Sequence, residues 1–143
     1  MIQFTVYGTP VGKGRPKFST FNGHATAYTP VKTVNYENLV RLSVQQQQRG
    51  LKPFDKDVPL QADIIAYFPI PKSTSKKKRQ MMLEGEIRHT KKCDADNLAK
   101  SILDALNGIA FYDDSQVCEL SVSKLYSDEP RVIVRISEVI CDG

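Results

Sequence analysis

The amino-acid sequence predicts an α+β fold: a small mixed β-sheet with helices on one face. Three observations carry this expectation. Residues 2–7, 117–125 and 131–139 alternate apolar and polar side chains, the period of a strand with one buried face. Tyr36, Leu39, Val40, Ser43 and Val44, and later the segment from Asp96 to Asn107, repeat at helical spacing instead. The chain has 143 residues with neither an internal repeat nor a linker, so residues 1–143 form one domain with room for a hydrophobic core.

The elements follow in order. Ile2–Tyr7 is the first strand, and the Gly-, Pro- and Lys/Arg-rich stretch from Gly8 to Pro30 reads as a loop. Thr29-Pro30 has the form of a helix start, with Thr at the N-cap and Pro at the first helical position, and Gly50 closes that helix. Gln45–Gln48 reads as its exposed last turn. Residues 58–68 form a second strand, stopped by Pro69 and Pro71. Ser73–Gly85 is a short helix or a mobile arm. A compact helix then runs from Asp96 to Asn107, closed by Gly108. The last two alternating runs, joined at Ser127-Asp128-Glu129-Pro130, read as an antiparallel hairpin.

The three cysteines, Cys93, Cys118 and Cys141, include no CxxC pair, which argues against a disulfide framework and a structural zinc site. Cys93 abuts acidic residues and has little reason to ionise. Met1-Ile2-Gln3-Phe4 does not resemble a signal peptide, and the apolar run Ile64–Phe68 is too short to cross a bilayer. The expectation is a soluble cytoplasmic protein with no membrane partner. The net charge is only +4, but its distribution is informative. Positive charge gathers in Lys13–Lys17 and Lys72–Lys92, and carboxylates gather in Asp94–Asp114. Basic flanks around an acidic centre suit an enzyme that holds a polyanion and cuts it through metal ions, whereas a uniformly basic binding module has no need of the acids.

At about 100° per residue, Lys100, Asp104 and Asn107 share the side of Asp96, while Leu98, Ile102, Ala105, Leu106 and Ile109 oppose it. Helix capping and the helix dipole account for one acid at the start of such a helix. They do not account for Asp94 and Asp96 together, nor for Asp113-Asp114. Acids crowded in one place need a cation, and Mg²⁺ takes such oxygen ligands together with waters and a phosphate. Lys100 could then meet a phosphate oxygen, or merely form an i,i+4 ion pair with Asp96. Gly12-Lys13-Gly14 lacks the GxxxxGK[ST] spacing, so no nucleotide cofactor is expected. Lys13, Arg15 and Lys17 around the glycines, and Lys76, Lys77, Lys78 and Arg79, are candidate contacts to a DNA backbone. Phe18 and Phe21 could stack on unpaired bases or pack on the domain. His24 and His89 lack metal-like spacing and stay outside the candidate site.

The string DADNLAKSILDALNG followed by YDDSQV resembles the RusA family of Holliday junction endonucleases, whose pattern runs D-x-D-N-x-x-K-x-x-x-D-x-L and then D-D-x-Q-V. Gly12–Phe18 followed by Tyr28-Thr29-Pro30 is similar to the opening segment of the Gram-positive and phage members. The resemblance implies a homodimer that binds four-way DNA junctions and nicks two opposing strands using Mg²⁺, with Mn²⁺ as a substitute. It implies catalytic roles for Asp94, Asp96, Lys100 and Asp114, and metal contacts from Asp94, Asp96, Asp113 and Asp114. Two other readings remain at this point: a non-catalytic branched-DNA-binding protein, and a DxD metal-dependent nucleotide transferase. The short chain without a βαβ series speaks against the second.

Overall fold

The computed structural model describes residues 1–140; Cys141 lies outside them. Its elements are β1 (Ile2–Tyr7), β2 (Lys17–Phe21), β3 (His24–Tyr28), α1 (Val31–Gln47), β4 (Leu60–Pro69), α2 (Lys76–Leu83), α3 (Ala95–Leu106), β5 (Val117–Ser127) and β6 (Arg131–Glu138). The main sheet is mixed, in the order β1-β6-β4-β5. The α+β architecture is as expected.

Alternation explains which face is buried. Ile2, Phe4 and Val6 of β1, Leu60, Ala62, Ile64, Ala66 and Phe68 of β4, and Val132, Val134 and Ile136 of β6 all point into one core. Register sets them in rows, as where Phe4 pairs with Val134 and Val134 with Ile64. Tyr36, Val40 and Val44 of α1 and Leu98, Ile102, Ala105 and Leu106 of α3 close that core. Each large side chain so buried contributes about 1.5–3 kcal/mol. Leu39, by contrast, stands partly exposed, and α1 turns Thr33, Glu37 and Ser43 inward beside its apolar residues.

Several local expectations are corrected. The stretch Gly8–Pro30 is not wholly loop, because β2 and β3 form a separate antiparallel hairpin. Its two-residue turn, Asn22-Gly23, has φ of 50° and 77°, the left-handed pair that a type I′ turn requires. Pro30, not Thr29, occupies the N-cap of α1, without a side-chain cap. Pro69 ends β4 from within. Ser73–Gly85 resolves to a helix, started by the Ser75 hydroxyl accepting from the Lys78 N–H.

β5 and β6 do not pair with each other. β4 lies between them, parallel to β5 and antiparallel to β6. The short Asp128–Pro130 connection must cross two strand spacings, roughly 10 Å, which three linking residues cover. The Gln45–Gln48 turn is exposed but not idle. The Gln47 carboxamide accepts from the Thr5 N–H at 2.8 Å and donates to the Thr5 carbonyl at 2.7 Å. Gln48 donates to the Gln3 carbonyl, so the outer edge of β1 is capped by side chains.

Candidate active site

The acidic helix α3 behaves as its periodicity dictates. Leu98, Ile102, Ala105 and Leu106 are fully buried, which turns Asp96, Lys100 and Asp104 outward. Asp94 is the N-cap residue, yet its side chain makes no capping hydrogen bond, and among the described residues its carboxylate has no ion-pair partner. It borders an open cleft of about 530 Å³, walled by Gly12–Arg15, Lys92, Cys93 and Asn97. Asp96 and Lys100 are exposed, and among the described residues Lys100 has no ion-pair partner. The i,i+4 pair with Asp96 is therefore absent, and the ammonium is available to a ligand.

After α3 the chain reverses. Gly108 adopts φ 77°, and Phe111, wholly buried, anchors the return. The turn delivers Asp114 to the side chain of Asp104. Burial, contact with the Asp104 carboxyl and the nearby Asp113 charge together raise the Asp114 pKa. Two carboxyls in contact need a proton or a cation between them.

Asp113, expected as a supporting metal ligand, is bound into the turn instead. Its carboxylate accepts from the Ser115 N–H at 3.1 Å within a capping box completed by Gln116. Hydrogen bonding from the Ser115 hydroxyl, and then from the Ser115 N–H, holds its pKa below the usual value. Nor do Asp94, Asp96, Asp113 and Asp114 meet as one cage: among the described residues, no three acidic, His or Cys groups converge as ligands. The reason is geometric. Eight residues of helix separate Asp96 from Asp104, about 12 Å of rise, and Asp114 sits at the Asp104 end. The acids form two groups, with Lys100 between them.

Two residues that sequence reasoning missed hold this arrangement. The Gln116 carboxamide accepts from the N–H groups of Tyr112 (2.9 Å) and Asp113 (3.2 Å), and donates to the carbonyls of Asp55 (2.9 Å) and Val58 (3.2 Å). It ties the acidic turn to the loop before β4. Replacing it by Ala removes four hydrogen bonds. We expect Gln116→Ala to lower stability by about 1–3 kcal/mol, measured by urea unfolding, and to reduce turnover more than DNA affinity. The other is Glu37, buried on α1. Lys13 bridges Glu37 at 2.5 Å and Asp104 at 3.3 Å. Burial opposes the Lys13 charge, but the bonds to both carboxylates outweigh it and raise its pKa.

Lys13, expected at the DNA backbone, is here held as a counter-ion to two carboxylates. Its glycines serve close approach: a Cβ on Gly12 would lie 2.6 Å from the Cys93 Cβ, and the Gly14 N–H donates to the Thr33 hydroxyl. The loop is wedged between α1 and α3. Arg15 and Lys17 remain exposed, as do Lys76, Lys77 and Lys78 on α2. Arg79 is instead ion-paired with Asp128. Burial raises the Cys93 thiol pKa, in keeping with an un-ionised group.

His89 packs rather than binds. Its ring stacks on Phe68 with centroids 3.6 Å apart and meets Tyr126 edge-on. Burial, then Lys124 and Lys91, push its pKa down to about 4. The folded state therefore prefers the neutral ring. This stabilisation is complete above the unfolded value near 6.5 and is lost as pH falls from there towards 4. Thermal unfolding of His89→Phe should show a smaller loss of Tm between pH 7 and pH 4 than the parent chain.

An α+β domain that sets free carboxylates and an unpaired lysine beside a basic cleft defines a class: proteins equipped to hold a divalent cation against a phosphodiester. The chain belongs to the RusA endodeoxyribonuclease family, whose profile matches residues 7–137. It is similar to the Bacillus subtilis (strain 168) protein YqaN, itself uncharacterised, at 45% identity over 96% of each chain. It is also similar to the crossover junction endodeoxyribonuclease rusA of Lactococcus phage r1t, at 31% identity over 96% of this chain and 97% of the relative. The family is one of Holliday-junction-resolving endonucleases that depend on a divalent metal and act on branched DNA.

Proposed function

We propose that this protein is a structure-selective endonuclease that resolves four-way DNA junctions in recombination and repair. It acts as a homodimer with Mg²⁺, for which Mn²⁺ can substitute. The observation that carries the reading is the pair Asp94 and Asp96, both with uncommitted carboxylates, at the start of α3 beside the basic cleft. The donor set fits the ion: Mg²⁺ is commonly held by one or two carboxylates, with waters and substrate phosphate completing its shell. Asp94 and Asp96 would hold it, and the Asp104–Asp114 pair offers a second place for positive charge. Bound there, the ion supplies a polarised water and neutralises charge on the scissile phosphate.

The chain's own residues do the rest. Arg15 and Lys92, on the cleft walls, hold the strand by its phosphates. The Lys100 ammonium, one turn beyond Asp96 and unpaired, meets the charge that builds on a non-bridging oxygen. Gln116 and Lys13 keep Asp114 and Asp104 in register. A two-fold dimer presents two such sites in fixed relation, which suits two symmetric cuts.

The test is a synthetic four-way junction labelled in turn on each strand, compared with linear duplex of the same sequence. Paired nicks on opposing strands, with Mg²⁺ but not with EDTA, are expected. Tight junction binding without nicking under any divalent ion would leave only a binding protein.

A further inference from the structure

The β2–β3 hairpin is unexplained by the catalytic geometry. All ten of its strand residues are exposed, and it is paired only with itself. A lone two-stranded hairpin is marginal in water, yet this one displays Phe18, Phe21 and Tyr28 at 72%, 77% and 46% exposure. Its register puts Lys17 opposite Tyr28 and Phe21 opposite His24. One face therefore carries Phe21 and Tyr28 at opposite ends, roughly 13 Å apart along the strands, over a floor of Ser19 and Thr26.

The electrostatics choose the occupant. No acidic residue occurs before Glu37, so the hairpin and its stem are purely cationic. At its foot lies a second cleft, of about 520 Å³, lined by Lys17, Lys32 and Lys92. Lys92 also borders the cleft of Asp94. The two clefts share the Gly12–Gly14 loop, so a strand held by the three lysines runs on towards the acids.

We propose that the β2–β3 hairpin reads the branch point: Phe21 and Tyr28 stack on bases unpaired at the crossover, while Lys17, Lys32 and Lys92 hold that strand's phosphates. This deepens the nuclease reading and rests on it, by naming the part that separates branched from linear DNA.

The test uses the full chain in Ca²⁺, with Phe21→Ala/Tyr28→Ala, a Phe21→Trp/Tyr28→Trp counterpart, and junctions carrying 2-aminopurine at the crossover. The Ala pair, which removes two stacking rings, should lose about thirtyfold or more in junction affinity, with linear-duplex affinity and Tm unchanged. It should also lose the quenching of 2-aminopurine, and the Trp pair should restore both. An Ala pair that keeps its preference for junctions overturns the proposal. So does one that sediments as a monomer where the parent is a dimer, since the hairpin would then bind a second copy. Nicking by the parent in Mg²⁺ is scored separately. A parent that nicks while the Ala pair keeps its selectivity sinks only this inference. A parent that never nicks, yet loses junction binding with the rings, sinks only the nuclease reading.

Discussion

Asp96→Asn is expected to abolish junction cutting, with a loss of about 10³-fold or more in single-turnover rate, and to leave junction binding equal or stronger. Asp96 is exposed on the first turn of α3 and makes no ion pair among the described residues. Its removal therefore costs the fold little beyond a favourable dipole interaction, a few tenths of a kcal/mol. A ligand that stabilises the reacting phosphate through a cation is worth several kcal/mol in the transition state, and each 1.36 kcal/mol is about tenfold in rate. Removing a negative charge that faces the DNA backbone also relieves repulsion, which sets the direction of the binding change. Parallel loss of binding and cutting, accompanied by a fall in Tm, would instead give Asp96 a structural role.

The second large effect falls on a residue that the sequence alone places on the DNA. Lys13→Ala strips two carboxylates of their counter-ion, and one of them, Glu37, is buried. Breaking a buried ion pair costs 3–5 kcal/mol. Because Lys13 and Asp104 retain some solvent contact, we expect about 2 kcal/mol in urea unfolding. Arg41 reaches Glu37 at 3.6 Å and softens the loss on that side. Neutralising the partners as well, in Lys13→Met/Glu37→Gln/Asp104→Asn, should recover most of the stability, because the charge then left without its partner, Arg41, is partly exposed to solvent. Cutting should still fall in the triple variant, since Asp114 loses its neighbour. A Lys13→Ala chain with unchanged stability and a weakened salt dependence of DNA binding would return Lys13 to the DNA-contact role.

How much the sequence revealed depended on how local each signal was. α3 was legible in full, because its 3.6-residue stripe is written into one segment and Gly108 marks its end. The four strands of the main sheet were legible one by one, β1, β5 and β6 from their alternation and β4 from its apolar run. Their order was not, since nothing local in Val117–Glu138 says that β4 will come between two runs joined by so short a turn. Asn22-Gly23 was a readable hairpin signal, hidden within a stretch whose Gly and Pro content suggests loop. The acids of α3 were recognisable as a group, but their division into two ends follows from helix rise, which the motif does not display. Glu37 could not be distinguished from a surface helix acid until Lys13 was found against it. Gln116 stood in the motif, but its four hydrogen bonds reach the loop before β4, and such long-range partners leave no local trace.

The central claim is that the carboxylates of α3 ligate a divalent metal to cut DNA, and replacing a ligand's oxygen by sulfur tests it most directly. Asp96→Cys should bind junctions and be inactive with Mg²⁺, which prefers oxygen, and should regain cutting with Cd²⁺ or Mn²⁺, which accept thiolate more readily. Asp96→Asn, assayed alongside, should gain nothing from either ion. A folded, junction-binding Asp96→Cys chain that stays inactive with every ion, and gives no thiolate-to-metal absorption with Cd²⁺, would contradict the account.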